Sequence, residues 1–320
     1  MAMPGPYGAV PGPSALARSG AGVMGQALAD SRAPGGGGVF APGKRRRLNF
    51  VAIIANLVLP WIAFCVMFAG MSFSLHYRTP SYAIGLVLLG FPAAAIAAAF
   101  AFRARQRGRD GMWYTFLAAA LLVATLAAFF FGQMNFTFYM QVFYDMENLN
   151  TYPSVNPARE RGQELMDAGR VHFSDGTGLD MRKAMSFKSS DVYCVVPIVH
   201  GEEELTSYDF WAVGVSCCSG LSSDFRCGEF NNPHARSGLR LMADDQRPFF
   251  RLAVQQAESA YSIRATHPLF FTWLQDPAAE MHAYRDSGFR CYLLGVFTHF
   301  TFHLFCTIAA MVAFSRIGKY

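Results

Sequence analysis

Charge is what this chain has least of. Only 15% of its 320 residues are Asp, Glu, Lys or Arg, where a soluble domain carries about 25%. The deficit is concentrated in Leu48 to Tyr77, Thr79 to Phe102, Gly111 to Tyr144 and Cys291 to Ser315, which hold no charged residue. Each stretch exceeds the roughly 20 residues that cross a hydrocarbon core of about 30 Å. That excludes an ordinary cytosolic enzyme and makes an integral membrane protein the expectation. Catalytic motifs are lacking too. Gly38 to Lys44 imitates the start of a phosphate-binding loop, yet Arg45 stands where a Ser or Thr would meet Mg²⁺, and no strand precedes it. Ser216 lacks the second glycine of a nucleophile elbow. The start of the chain has no apolar stretch after a basic one, so no cleaved signal peptide is expected and the first hydrophobic segment acts as an anchor.

Residues 1 to 43 hold 11 Gly and 6 Pro, a composition that buries too little apolar surface to offset the entropy of ordering. Residues 1–47 therefore read as a disordered cytoplasmic tail with a basic end. Orientation follows from Lys and Arg near the span ends. Lys44, Arg45, Arg46 and Arg47 precede span one, Arg103, Arg105, Arg107 and Arg109 link spans two and three, and Arg316 and Lys319 follow span four. The opposite side has Arg78, Arg285 and Arg290. Both termini are then cytoplasmic, in an endomembrane or the plasma membrane. The expected order is spans one to three over 48–132, an extracytoplasmic domain over 133–288, span four over 289–315 and a cytoplasmic end at 316–320. Pro60 and Pro92 should kink their helices, with neighbours satisfying the freed carbonyls. The run from Gly111 to Tyr144, at 1.5 Å per residue, would extend about 50 Å, and its aromatic second half reads as a helix emerging from the bilayer.

The long loop mixes apolar and polar residues as a folded domain does. Arg170 to Phe173, Asp175-Gly176 and Leu179 to Phe187 predict a hairpin, and Val192 to Val199 and Phe210 to Val215 predict further strands. Phe250, Ala253, Val254, Ala257 and Tyr261 recur at helical spacing, predicting an amphipathic helix over 246–264. The fold class is thus an all-α four-helix transmembrane bundle with an α+β extracytoplasmic domain between spans three and four.

Five of the seven cysteines, Cys194, Cys217, Cys218, Cys227 and Cys291, fall in this loop or at the mouth of span four. An oxidising face favours structural disulfides. Adjacent Cys217 and Cys218 cannot easily bridge each other, so each should reach elsewhere, and one cysteine is left over. A zinc site drawing on Cys217, Cys218, Cys227 and His234, or free thiols, are the other readings. The layout resembles the tetraspanins, which also have four spans, cytoplasmic termini, a vicinal Cys pair in a long second outer loop and a further Cys near the last span. Those features fall here on Cys217-Cys218, Cys227 and Cys291, with Asn56 as the polar residue of span one. Cys217-Cys218-Ser219-Gly220 stands where that family has Cys-Cys-Gly, and the first half of this loop reads as β where theirs is helical. The resemblance implies lateral organisation of partners rather than catalysis.

His299, His303 and Cys306, at i, i+4 and i+7, share one face of span four. Such a set could bind Cu, Zn or haem iron, or instead pack through neutral imidazoles beside Thr298, Thr301 and Thr307. Glu202, Glu203 and Glu204 read as a solvated turn, Asn135-Phe136-Thr137 as a sequon close to a span, and Arg236, Arg240, Arg247 and Arg251 as partners for acids such as Asp244 and Asp245. No cofactor is expected beyond that candidate metal. The expected partners are the bilayer and proteins that meet the outer domain, not nucleic acid. The function expected is a non-enzymatic scaffold, receptor-like or assembly component, and the competing one a transporter or membrane redox protein using the polar face of span four.

Overall fold

The computed structural model describes residues 50–201, 204–219 and 224–317. The tail, Lys44 to Arg47, the phosphate-loop imitation, Glu202, Glu203 and Lys319 lie outside the described residues. Within them, four helical runs are long and apolar enough to cross a membrane: Phe50–Ser72, Pro80–Gln106, Met112–Glu147 and Pro277–Ser315. Large apolar side chains such as Phe130, Leu294 and Phe305 point outward from these runs, a surface suited to hydrocarbon rather than water.

Helix α1 (Phe50–Ser72) carries Pro60 in its interior, and the single turn α2 (Ser74–Arg78) follows it. The second run is two helices, α3 (Pro80–Leu88) and α4 (Gly90–Gln106), parted at Leu89. Pro92 explains the interruption, because its ring crowds the carbonyl four residues back, at Leu88, where α3 stops. The third run passes without a break from α5 (Met112–Asn135) through a π-helical turn (Phe136–Met140) into α6 (Gln141–Glu147). Its 36 residues span about 54 Å, and the 41 residues of α8 (Pro277–Ile317) about 60 Å. Either is near twice the thickness of a bilayer core, far more than one crossing needs. At the ends nearest the sheet Phe136, Met140, Phe143, Met146 and Met281 form one apolar cluster with Leu239 and Leu274 of the sheet.

Between the third and fourth runs lies an α/β sheet domain. Its strands are β1 (Asn150–Val155), β2 (Ala168–Phe173), β3 (Thr177–Leu179), β4 (Met185–Ser189), β5 (Asp191–His200), β6 (Phe210–Val215), β7 (Ser237–Arg240) and β8 (Leu269–Leu274), with helix α7 (Arg247–Tyr261) before the last. The order is β1-β2-β7-β8-β6-β5-β3, with β4 also on β5; the β1–β2 and β6–β8 pairs are parallel and the others antiparallel.

That order corrects the expected hairpin. Strands β2 and β3 are consecutive but do not pair; β2 lies between β1 and β7, while β3 pairs with β5. Five strand spacings separate them, about 24 Å in a flat sheet. The chain from Phe173 to Thr177 reaches at most about 15 Å, so the sheet must curl. The concave side is filled by Val171, Phe173, Cys194, Val196, Ile198, Phe210, Ala212, Phe271 and Trp273. Phe173 meets Phe210, Phe271 and Trp273 across it, at centroid distances of 5.9, 6.2 and 5.8 Å. The segment expected as one strand from Leu179 to Phe187 is broken by a 3-10 turn at Met181–Lys183, capped by the Asp180 carboxylate.

The period of two puts the alternate residues, Tyr193, Val195, Trp211, Val213 and Phe270, on the convex side. There α7 covers them with Phe250, Ala253, Val254 and Ala257. The helix ends where Ser262 turns left-handed at φ 53°.

Candidate functional site

The polar face of α8 meets α1. Pro60 has no N–H, so the carbonyl of Asn56, four residues earlier, loses its helical donor. His303 Nε2–H donates to that carbonyl at 2.8 Å, and the bond is buried. A carbonyl only accepts, which fixes the proton on Nε2. His299, one turn away, lies flat on Phe64 with centroids 3.9 Å apart, and its Nδ1 is buried without a partner. Asn56 Nδ2 donates back to Ala52, while Asn56 Oδ1 and Trp61 Nε1 are buried and unpartnered. The threonines serve the backbone: Thr307 donates to His303 O and Thr301 to Phe297 O. Cys306 is a half-buried free thiol.

Among the described residues, the ligand atoms of three such side chains come within 4.8 Å of one another only at Cys194, Cys217 and Cys227. His299, His303 and Cys306 share a face without converging; the two rings are 5.9 Å apart. His234, which a zinc site would need, lies outside the convergent group.

The convergent sulfurs belong to two disulfides, Cys194–Cys218 and Cys217–Cys227. The vicinal pair thus reaches in two directions, Cys218 to strand β5 and Cys217 across the following loop. Gly214 of β6 faces them, and a Cβ there would stand 2.7 Å from the sulfurs of both Cys217 and Cys227. Only glycine leaves that room. Cys291, the fifth candidate, is the thiol left over, in α8 rather than at the sheet.

Arg103 and Arg105 occupy the last turn of α4, Arg107 its cap and Arg109 the exposed turn to α5. Arg236 pairs with Asp175, and Arg247 with Asp244 at 2.7 Å. Arg240 stands over the Phe271 ring with Nη1 unpartnered. Burial first, and then the charge of Arg247, lower its pKa to about 10. Asn135, the acceptor of the sequon, is 1% exposed inside helix, out of reach of glycosylation in the folded state.

Two polar sites carry no signature in the sequence. The Asp209 carboxylate, buried just ahead of β6, accepts from Ser207 Oγ at 2.7 Å and from the N–H groups of Gly162, Thr266 and His267 at 3.0, 2.9 and 3.1 Å. Burial alone would raise its pKa; these donors outweigh it and hold the group below the ordinary carboxylate range. His172 Nδ1 and Ser237 Oγ share a hydrogen bond of 2.8 Å between β2 and β7, a cross-strand pair with no acid among its bonded partners.

No family model, curated protein or solved structure matches the chain.

Proposed function

We propose that the chain is a multi-pass membrane protein with both termini cytoplasmic, acting as a non-enzymatic scaffold, receptor-like or assembly component through its extracytoplasmic sheet domain. The observation that carries this reading is the bond from His303 to the Asn56 carbonyl. The residue best placed for intramembrane chemistry is already engaged in completing a helix that Pro60 interrupts. Two further features support it. The sheet domain shares an apolar cluster with the ends of the long rods, so a partner held by the domain is held firmly against the bundle. The four arginines from Arg103 to Arg109 favour the cytoplasmic side for the α4–α5 turn.

The orientation is tested by thiol labelling of sealed vesicles with and without reductant. The sheet cysteines should label only after both permeabilisation and reduction; digestion of the sheet domain by protease outside cytosol-out vesicles would overturn the reading. A transporter or proton-relay reading draws on one specific observation, the unpartnered buried atoms Asn56 Oδ1, Trp61 Nε1 and His299 Nδ1. Replacing His299 with Leu separates the two. A scaffold keeps its partner binding, whereas a relay loses proton or solute flux in proteoliposomes.

A further inference from the structure

We propose that the four sulfurs of Cys194, Cys217, Cys218 and Cys227 form one exchange-coupled redox centre whose substrate class is a dithiol. Two ordinary structural disulfides stand apart and react independently. Here the partners of adjacent residues 217 and 218 are drawn together, so that Cys194 Sγ of one disulfide lies within 4.8 Å of both sulfurs of the other. Gly214 keeps the backbone of β6 clear of the second disulfide. Access is one-sided: Cys194 and Cys227 are buried, whereas Cys217 and Cys218 are partly open to solvent.

The chemistry follows from that asymmetry. A thiolate of the dithiol attacks Cys218 Sγ. A mixed disulfide forms, the Cys194–Cys218 bond breaks, and its electron pair leaves on Cys194 Sγ. The Cys194 thiolate then attacks the neighbouring disulfide at Cys217. The Cys194–Cys217 bond forms, the Cys217–Cys227 bond breaks, and Cys227 is left as thiolate. The second thiol of the dithiol resolves the mixed disulfide at Cys218 and departs as a cyclic disulfide. The dithiol has lost two electrons and two protons; the centre has gained them as thiols on Cys218 and Cys227, and one disulfide remains. Attack at Cys227 instead leaves the Cys194–Cys227 link with the thiol on Cys217. Either way one of the two thiols stays at Cys218, the site of entry, and the other passes to the second pair.

The test uses the full chain in detergent, treated with substoichiometric dithiothreitol, quenched by alkylation and mapped by mass spectrometry. A Cys194–Cys217 or Cys194–Cys227 link is expected in a readily detected fraction of the singly reduced chains, because the freed Cys194 thiolate lies within reach of both sulfurs of the remaining disulfide. Singly reduced chains that keep only Cys194–Cys218 or only Cys217–Cys227 overturn the proposal. So does a link from Cys194 to Cys65, Cys291 or Cys306, which reports unfolding rather than local exchange. The variant Cys218→Ser supplies a second reading without added reductant. Its Cys194 should be found linked to Cys217 or Cys227 in a comparable fraction of chains, and a Cys194 that is wholly alkylated overturns the coupling.

Discussion

The sheet domain and the helical rods treat their buried polar groups differently. In the sheet domain Asp209 receives four donors, and Asp180 is held by Lys183 at 2.5 Å and by Arg182. Among the described residues, buried side-chain atoms without a partner there are one each on Arg170 and Arg240. The rods leave Asn56 Oδ1, Trp61 Nε1, Ser72 Oγ, both polar atoms of Asn135 and His299 Nδ1 unpaired. Apart from the Asn56 carbonyl that His303 serves, their helical backbones are satisfied mainly from within, and contacts between them are mainly apolar, as in the Phe64, Phe68, Met71 and Ala128 cluster. The sheet domain is therefore specified by long-range covalent and charge-assisted links. The rods are specified by length and surface, with few polar ties between them. A substitution at a tie in the sheet domain should cost several times what one costs in the rods.

The largest effect should come from the curl itself. Phe271 is fully buried on the concave side beside Phe173 and Phe210, and Phe271→Ala should destabilise the domain by about 4 kcal/mol. Hydrogen exchange of β5 and β6 in the full chain would show it as faster opening, with the amides of α5 unaffected. The double replacement of Cys194 and Cys218 by Ala frees a segment separated by 24 residues and should cost about 3 kcal/mol. Equal loss of protection in α5 and the sheet would mean that the two regions unfold as one unit rather than separately.

Asp209→Asn comes next, at roughly 2 to 3 kcal/mol, since an amide oxygen cannot serve the carboxylate's four donors. The sign of its pH dependence follows from the lowered pKa. A carboxyl depressed on folding contributes fully above the unfolded value near 4, and that contribution is lost as pH falls through the folded value. The stability gap between wild type and Asp209→Asn should stay constant from pH 7 to about pH 5 and narrow below about pH 4. A gap that narrows already between pH 7 and pH 6 would rule out Asp209 as its source.

The rods were legible because uncharged runs report length directly, and the alternation in β5 and β6 reports which residues face inward. The curl was not legible, because Asp175-Gly176 signals a tight turn equally well whether the flanking strands pair or part. Only the steric reach of the link from Phe173 to Thr177, set against the strand order, decides it. The vicinal cysteines announced that each must bridge elsewhere, but the choice of Cys194 for Cys218 depends on β5 lying beside β6. Asp209 was silent because its donors come from positions up to 58 residues away. The seam between α1 and α8 was half legible. Pro60 predicts an orphaned carbonyl at Asn56, and a histidine in span four predicts a donor, yet 247 residues separate them in sequence.

That seam provides the smallest effect and the finest test of the contrast. If His303 serves the carbonyl that Pro60 orphans, the two residues are thermodynamically coupled through Asn56. His303→Leu should cost about 1 kcal/mol in the wild-type background, the scale of a single polar tie between helices in a membrane. In Pro60→Ala the residue at 60 regains its N–H, donates to Asn56 O along the helix and makes the imidazole redundant. His303→Leu in that background should then cost close to nothing, giving a coupling of about 1 kcal/mol in a double-mutant cycle. A zero coupling would mean that His303 is kept in the bundle for something other than the helix it touches, and the scaffold reading would lose the observation that carries it.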